Sequence, residues 1–219
     1  MKREERAGRF ARKVVRPDFQ HAWIAPSKAP QYVFLISVET DFQNSARDEP
    51  YQRRPSMDRP DFIRHWSELE GPDEANYPGD DERFSINAPL GRKLGLRKIG
   101  IHHERLPPGR RTSYPHAESA LEEFVFVLEG TPDAWIDGHL VRLRPGDSVG
   151  FPPGTGISHT FMNNTPDEVR LLVVGEPTNE NRIRYPLNPA HEAAIPERWV
   201  NPPDRPLGPH DGRPKVKTP

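Results

Sequence analysis

The stretch G-R-R-T-S-Y-P-H-A-E-S-A-L-E-E-F-V-F-V-L-E-G, Gly109 to Gly130, decides how this chain is read. Its companion is G-D-S-V-G-F-P-P-G-T-G-I-S-H-T-F-M-N, Gly146 to Asn163. In each block, glycines and prolines bracket a short run rich in β-forming residues, and the run carries His or Glu. His116 and Glu118 are two apart, so a strand places both on one face. Glu123 opens the next run and shares parity with Val125 and Val127. His159 shares parity with Phe161 and Asn163. An interior face with two imidazoles and two carboxylates is costly unless something pairs with them.

Around the blocks the pattern stays β. Lys98–Leu106 reads as a strand ended by Pro107-Pro108-Gly109, and Arg111–Pro115 as a short strand that delivers His116. Phe124–Leu128 is a third. Ala134–Ile136 and His139–Leu143 read as a hairpin across Asp137-Gly138, a favoured type I′ dipeptide. Ser148–Phe151, His159–Met162 and Val169–Val174 complete the set. Short strands at close spacing, bounded by Gly, Pro, Asn or Asp, predict an all-β sandwich or barrel.

The two blocks resemble the paired motifs of the cupin superfamily. In the first, Gly109, six residues, His116-x-Glu118, four residues, Glu123, six residues and Gly130 follow the family's series. Glu118 stands where the family has a second His. In the second, Gly146, five residues, Pro152-x-Gly154, four residues, His159, three residues and Asn163 follow the family's series, with two extra residues before His159. The resemblance implies a double-stranded β-helix, or jelly-roll barrel, over residues 95–175. It also implies that His116, Glu118, Glu123 and His159 converge on one divalent metal. A set of two His and two carboxylates suits Mn, Fe, Ni or Zn better than a soft ion. Glu118 is open to three readings: ligand, general base beside the metal, or exposed carboxylate. Glu118 and Glu123 are the candidates for proton transfer.

Substrate selection is expected at the mouth. Alternation sends one of Arg111 and Tyr114 into the cavity, and an Arg there can hold a carboxylate or phosphate by two hydrogen bonds. Phe161 and Asn163, on the face of His159, are carried as further candidate substrate contacts, although Phe161, like Met162 and Trp135, reads first as core. His102 and His103 face opposite sides of their strand. His21, His65, His139, His191 and His210 read as surface residues. Gly154-Thr155-Gly156 lacks the Lys-Ser or Lys-Thr of a phosphate loop.

Beyond the blocks the chain divides by composition. Proline makes up 27 of 219 residues, about twice the usual share of about 5%. Most of it lies outside Leu121–Val174, which predicts one β core with irregular N- and C-terminal extensions. Residues 1–56 start basic and read as an arm, with Tyr32–Val38 as a strand-like run. The change of character at Met57 raises Met57 as the true start, which N-terminal sequencing of protein made from the native locus decides. Residues 57–94 form a lead-in: Asp61–Leu69 is a short element that packs Trp66 on the barrel exterior, and Gly71–Pro89 is a loop. Residues 176–219 are again Pro-rich, with a short helix at Ala190–Ile195 capped by Asn188. The remainder, anchored by Trp199, Val200 and Leu207, is expected to cross the barrel or a neighbouring subunit.

The formal charge of −1 gives no reason to expect nucleic acid or an anionic membrane as partner. The absence of cysteine removes disulfides and thiolate catalysis and is compatible with the cytoplasm. The function expected is a metal-binding cupin acting on a small polar molecule, a sugar derivative or an organic acid. Isomerase or epimerase, lyase and dioxygenase chemistries all remain open. The alternative is a non-catalytic cupin that binds or senses a small ligand. A homodimer is expected, as cupin barrels often pair through their outer sheets.

Overall fold

A computed structural model describes residues 58–215. The readings made for residues 1–56 and for Met57 lie outside them. The described chain is built almost wholly from short β-strands. They are β1 (Ile86–Ala88), β2 (Gly100–Leu106), β3 (Ala117–Glu118), β4 (Glu123–Glu129), β5 (Asp133–Ile136), β6 (His139–Arg142), β7 (Ser148–Phe151), β8 (His159–Met162), β9 (Val169–Gly175) and β10 (Ile183–Arg184). Two short helices, α1 (Leu90–Lys93) and α2 (Pro189–Ala194), flank them. No helix among the described residues is long and apolar enough to cross a membrane.

The strands form a five-stranded sheet in the order β1-β2-β9-β4-β7, a three-stranded sheet β6-β5-β8, and the pair β10-β3. All of these pairings are antiparallel. One apolar cluster joins the two larger sheets. Leu106, Val125, Val127, Phe151, Val169 and Leu171 come from the five-stranded sheet, and Ala134 and Phe161 from the three-stranded one. The alternation expected in β4 is present: Val125 and Val127 are buried, while Phe124 and Leu128 point outward. The hairpin turn has the backbone that its dipeptide predicts, with φ of 45° at Asp137 and 86° at Gly138.

Several elements depart from the sequence reading. Arg111–Pro115 forms no regular strand. It runs beside β8 through isolated bridges, Arg111 to Met162 and His116 to His159, because Pro115 has no N–H to continue the ladder. The segment read as a loop from Gly71 to Pro89 contains β1, which pairs Ile86 with Arg105 and Ala88 with His103. In the lead-in, Trp66 begins a 3-10 turn, Trp66–Glu68, and stacks on His103 at 4.3 Å on the outer face of β2. Phe62 takes no part and is 72% exposed. Asn188 does stand at the N-cap of α2, but its side chain makes no capping bond.

The C-terminal segment crosses the β5–β6 hairpin, held by backbone and polar groups. Gly208 and His210 donate their amides to the carbonyls of Asp137 and Gly138. Arg205 pairs with Asp137, and the indole of buried Trp135 donates to the carbonyl of His210. Val200 and Leu207, expected as anchors, are exposed. His210 is consequently half-buried, and His191 sits against Tyr77, Tyr114 and Tyr185, so neither is the surface residue expected.

Candidate metal centre

The centre begins with a cross-strand pair. His116 and His159 exchange both backbone hydrogen bonds, 3.1 Å and 2.9 Å. Directly opposed residues of an antiparallel pair put their side chains on the same face. The two imidazoles accordingly lie with ring centroids 5.0 Å apart. Glu123 comes from the other sheet as the first residue of β4, and its Oε1 lies 3.1 Å from His159 Nε2. Phe151, opposite Glu123 in the β4–β7 ladder, stacks on His159 at 3.6 Å. Ligand atoms of His116, Glu123 and His159 all fall within 4.8 Å of one another.

The tautomers are set locally. His116 Nδ1 lies 2.9 Å from the carbonyl of Tyr114, and His159 Nδ1 3.3 Å from the carbonyl of Ile157. A carbonyl only accepts, so each Nδ1 carries a proton; His116 Nε2 is left with its lone pair, while His159 Nε2 lies against the Glu123 carboxylate. That second bond, fixing tautomer and ring direction, is the usual support of a metal-bound His. Burial and the neighbouring His159 push His116 down to about 4, which keeps its imidazole neutral. Burial acts to raise Glu123, but the bond from His159 and the nearby imidazoles outweigh it and hold the carboxyl below its ordinary value. Two imidazole nitrogens and one carboxylate suit a divalent first-row metal.

Glu118 is not part of this trio. It pairs with Ile183 on β10. Its Oε1 accepts from Asn181 Nδ2 at 3.2 Å, and its Oε2 is buried with no hydrogen-bond partner. Burial, reinforced by the charge of Glu123, pushes it up to about 7. Asn181 also accepts the amides of Ser119, Ala120 and Leu121, which fixes the loop between Glu118 and Glu123.

The expected substrate contacts fare differently. Arg111 is 2% exposed and fully engaged, bidentate to Glu82 at 2.7 Å and donating to the Gly212 carbonyl at 2.6 Å. Each of its three nitrogens already donates to the protein. The Tyr114 hydroxyl donates to Asp80, and its ring stacks on Tyr77. Asn163 is fully buried; its amide donates to the carbonyls of Leu106 and Asp167, and its oxygen accepts from Thr165. Phe161 alone of the four lines the inner cavity, as part of the core.

That inner cavity, about 100 Å³, is walled by His116, Glu123, His159, Phe161, Thr112, Ser113, Val173 and Glu104. A second cavity of about 290 Å³ shares Glu104, Glu123 and Val173 with it and adds Asn87 and His102. The structure sets the inward side of β2: Leu106 is buried, so His102 and Glu104 share its face while His103 turns outward.

Residues 102–175, about a third of the chain, match the family model described as "Cupin domain". Among solved structures, a sugar phosphate isomerase of the cupin superfamily from Silicibacter pomeroyi is 34% identical. The match covers 46% of this chain and 64% of that one, with a TM-score of 0.45. A protein from Acidithiobacillus ferrooxidans is 31% identical over 47% of this chain and 65% of its own, with a TM-score of 0.45. The polyketide cyclase RemF from Streptomyces resistomycificus is 21% identical over 62% of this chain and 94% of its own, with a TM-score of 0.47. The chain thus spans just under two thirds of the first two relatives. No curated protein matches it.

Proposed function

Membership in the cupin superfamily is supported by residues 102–175, and from that premise we propose that the chain binds one divalent metal ion through His116, Glu123 and His159 and carries out proton-transfer chemistry on a small polar molecule. The observation that carries this reading is the matched pair of imidazoles, each with Nδ1 on a carbonyl two residues upstream and each with a ligand atom within 4.8 Å of the other and of a Glu123 oxygen. A donor set of this kind fits Mn, Fe, Ni or Zn. The two facing sheets are read as the closed jelly-roll barrel of that superfamily.

When bound, the ion supplies a Lewis acid at a substrate oxygen. The chain's own contribution is position and proton handling. Glu123, on the wall of both cavities, is the carboxylate placed to move a proton; Glu118, oriented by Asn181 with one buried oxygen unpaired but on neither wall, is the second candidate. Isomerisation, epimerisation and lyase reactions use such a group, so they are favoured over dioxygenation. With Arg111 engaged elsewhere, the walls offer hydroxyl, amide and imidazole groups from Thr112, Ser113, Asn87 and His102. These suit a hydroxylated substrate such as a sugar derivative; an organic acid would rely on the ion to hold its carboxylate. The working form proposed is a cytoplasmic homodimer.

Metal analysis of untagged protein tests the reading. Wild type is expected to carry near-stoichiometric metal, His159→Ala to lose it, and Glu118→Ala to keep it. Wild-type protein that takes up no Mn, Fe, Ni or Zn on reconstitution overturns the enzyme reading and returns the non-catalytic binder.

A further inference from the structure

β2 carries a carboxylate that neither sequence block contains. Glu104 shares the inward parity of Leu106, while His103 and Arg105 on the opposite face lie against Trp66. Its side chain stands on the wall of the inner cavity with His116, Glu123 and His159, and Glu118 does not. It also stands on the wall of the adjoining cavity, so Glu104 and Glu123 are the two carboxylates placed between the imidazoles and the larger space.

The side chain is held from one side. Glu104 Oε2 accepts from Ser85 Oγ at 2.7 Å, and Oε1 accepts from Asn87 Nδ2 at 3.2 Å. Each carboxylate oxygen has a second lone pair, and Glu104 stands outside the trio whose ligand atoms fall within 4.8 Å of one another, so it is placed to meet the ion through a bound water. Ser85 and Asn87 are supplied by β1 and the residue before it, the strand that lies against this part of β2. The charges also fit. Two carboxylates facing one cavity are matched by one divalent ion, and an unbalanced pair of carboxylates in a low-dielectric cavity is costly. Burial, with the charge of Glu123 added, accordingly pushes Glu104 up to about 7, against the bonds from Ser85 and Asn87.

We propose that Glu104, held by Ser85 and Asn87, is the second carboxylate partner of the ion in this cavity, the role that motif spacing gives to Glu118. This rests on the metal reading above and adds a residue to it. The test uses Mn²⁺ alone, titrated calorimetrically into metal-free full-length protein, with wild type, Glu104→Gln, Glu118→Gln and Ser85→Ala compared. Glu104→Gln is expected to weaken Mn²⁺ binding by about 10- to 100-fold, the range for groups that support a metal centre. Ser85→Ala, which keeps the carboxylate and removes its holder, is expected to weaken binding less, and Glu118→Gln to leave it near wild type. Thermal unfolding of the metal-free variants separates lost affinity from lost fold; should Glu104→Gln not fold, Ser85→Ala carries the test. Wild-type affinity in a folded Glu104→Gln, or in Ser85→Ala when Glu104→Gln does not fold, overturns the proposal, as does a loss confined to Glu118→Gln. Wild type that binds none of Mn²⁺, Fe²⁺, Ni²⁺ or Zn²⁺ overturns the metal reading itself, a distinct result.

Discussion

His116, Glu123 and His159 need different amounts of help to be found. The two histidines were found through the resemblance of their Gly and Pro frames to the cupin motifs, and the structure sets them directly opposite each other. Glu104 is hidden because K-I-G-I-H-H-E-R-L mixes polar residues on both faces, and only the burial of Leu106 orients it. Its environment makes a pH-dependent prediction. The folded protein raises Glu104 from 4.5 to about 7. The unfolded chain therefore loses this proton first, and the group removes stability as pH rises from about 4.5 through 7. Glu104→Gln lifts that penalty. In metal-free protein the substitution is expected to be stabilising at pH 8, by up to about 3 kcal/mol, and nearly neutral at pH 4, where both states keep the proton. Urea unfolding at the two pH values measures it, and an equal effect at both would sink the assignment.

At the scale of elements, β4 was legible because a half-buried strand alternates, and β2, β7, β8 and β9 because turn residues close their ends. The Asp137-Gly138 turn was legible for the same reason. The C-terminal strap was not. Residues 205–213 dock through amides, carbonyls and one ion pair, and these leave no apolar period in the sequence. β1 escaped notice because three residues inside a Pro- and Gly-rich stretch give no period to count. The strap also explains why Arg111 is buried rather than free, since Gly212 supplies one of its acceptors. Gly138 is where the strap can be tested. Its φ is 86°, and a Cβ there would run into the backbone of Gly208. Gly138→Ala is expected to destabilise the protein by on the order of 2 kcal/mol. Hydrogen exchange at the amides of Gly208 and His210 should rise with it. Unchanged protection at those amides would mean that the strap is held by something other than this hairpin.

Across the whole described molecule, the five-stranded sheet has two unlike faces. Its inner face carries Glu104 and Glu123 toward the imidazoles; its outer face leaves Phe124 and Leu128 at 42% exposure, beside Ile99, just before β2, at 43%. Phe124 and Ile99 border a hollow of about 540 Å³ that also includes Val174 and Gly150, and Gly150 offers no side chain to fill it. Parity forces this division: β4 cannot send Glu123, Val125 and Val127 inward without sending Phe124, Phe126 and Leu128 outward. An apolar outer face of this kind is what a second copy of the chain would cover in the proposed homodimer. In a two-fold pairing each residue occurs twice, so one substitution places two charges in the interface. Phe124→Lys is therefore expected to convert a dimer to a monomer in light scattering while leaving Mn²⁺ binding intact, because its side chain points away from the centre. A wild-type monomer at micromolar concentration would remove the dimer. A dimer that survives Phe124→Lys would place the interface on another face, and the exposed apolar residues of β4 would then need a different partner.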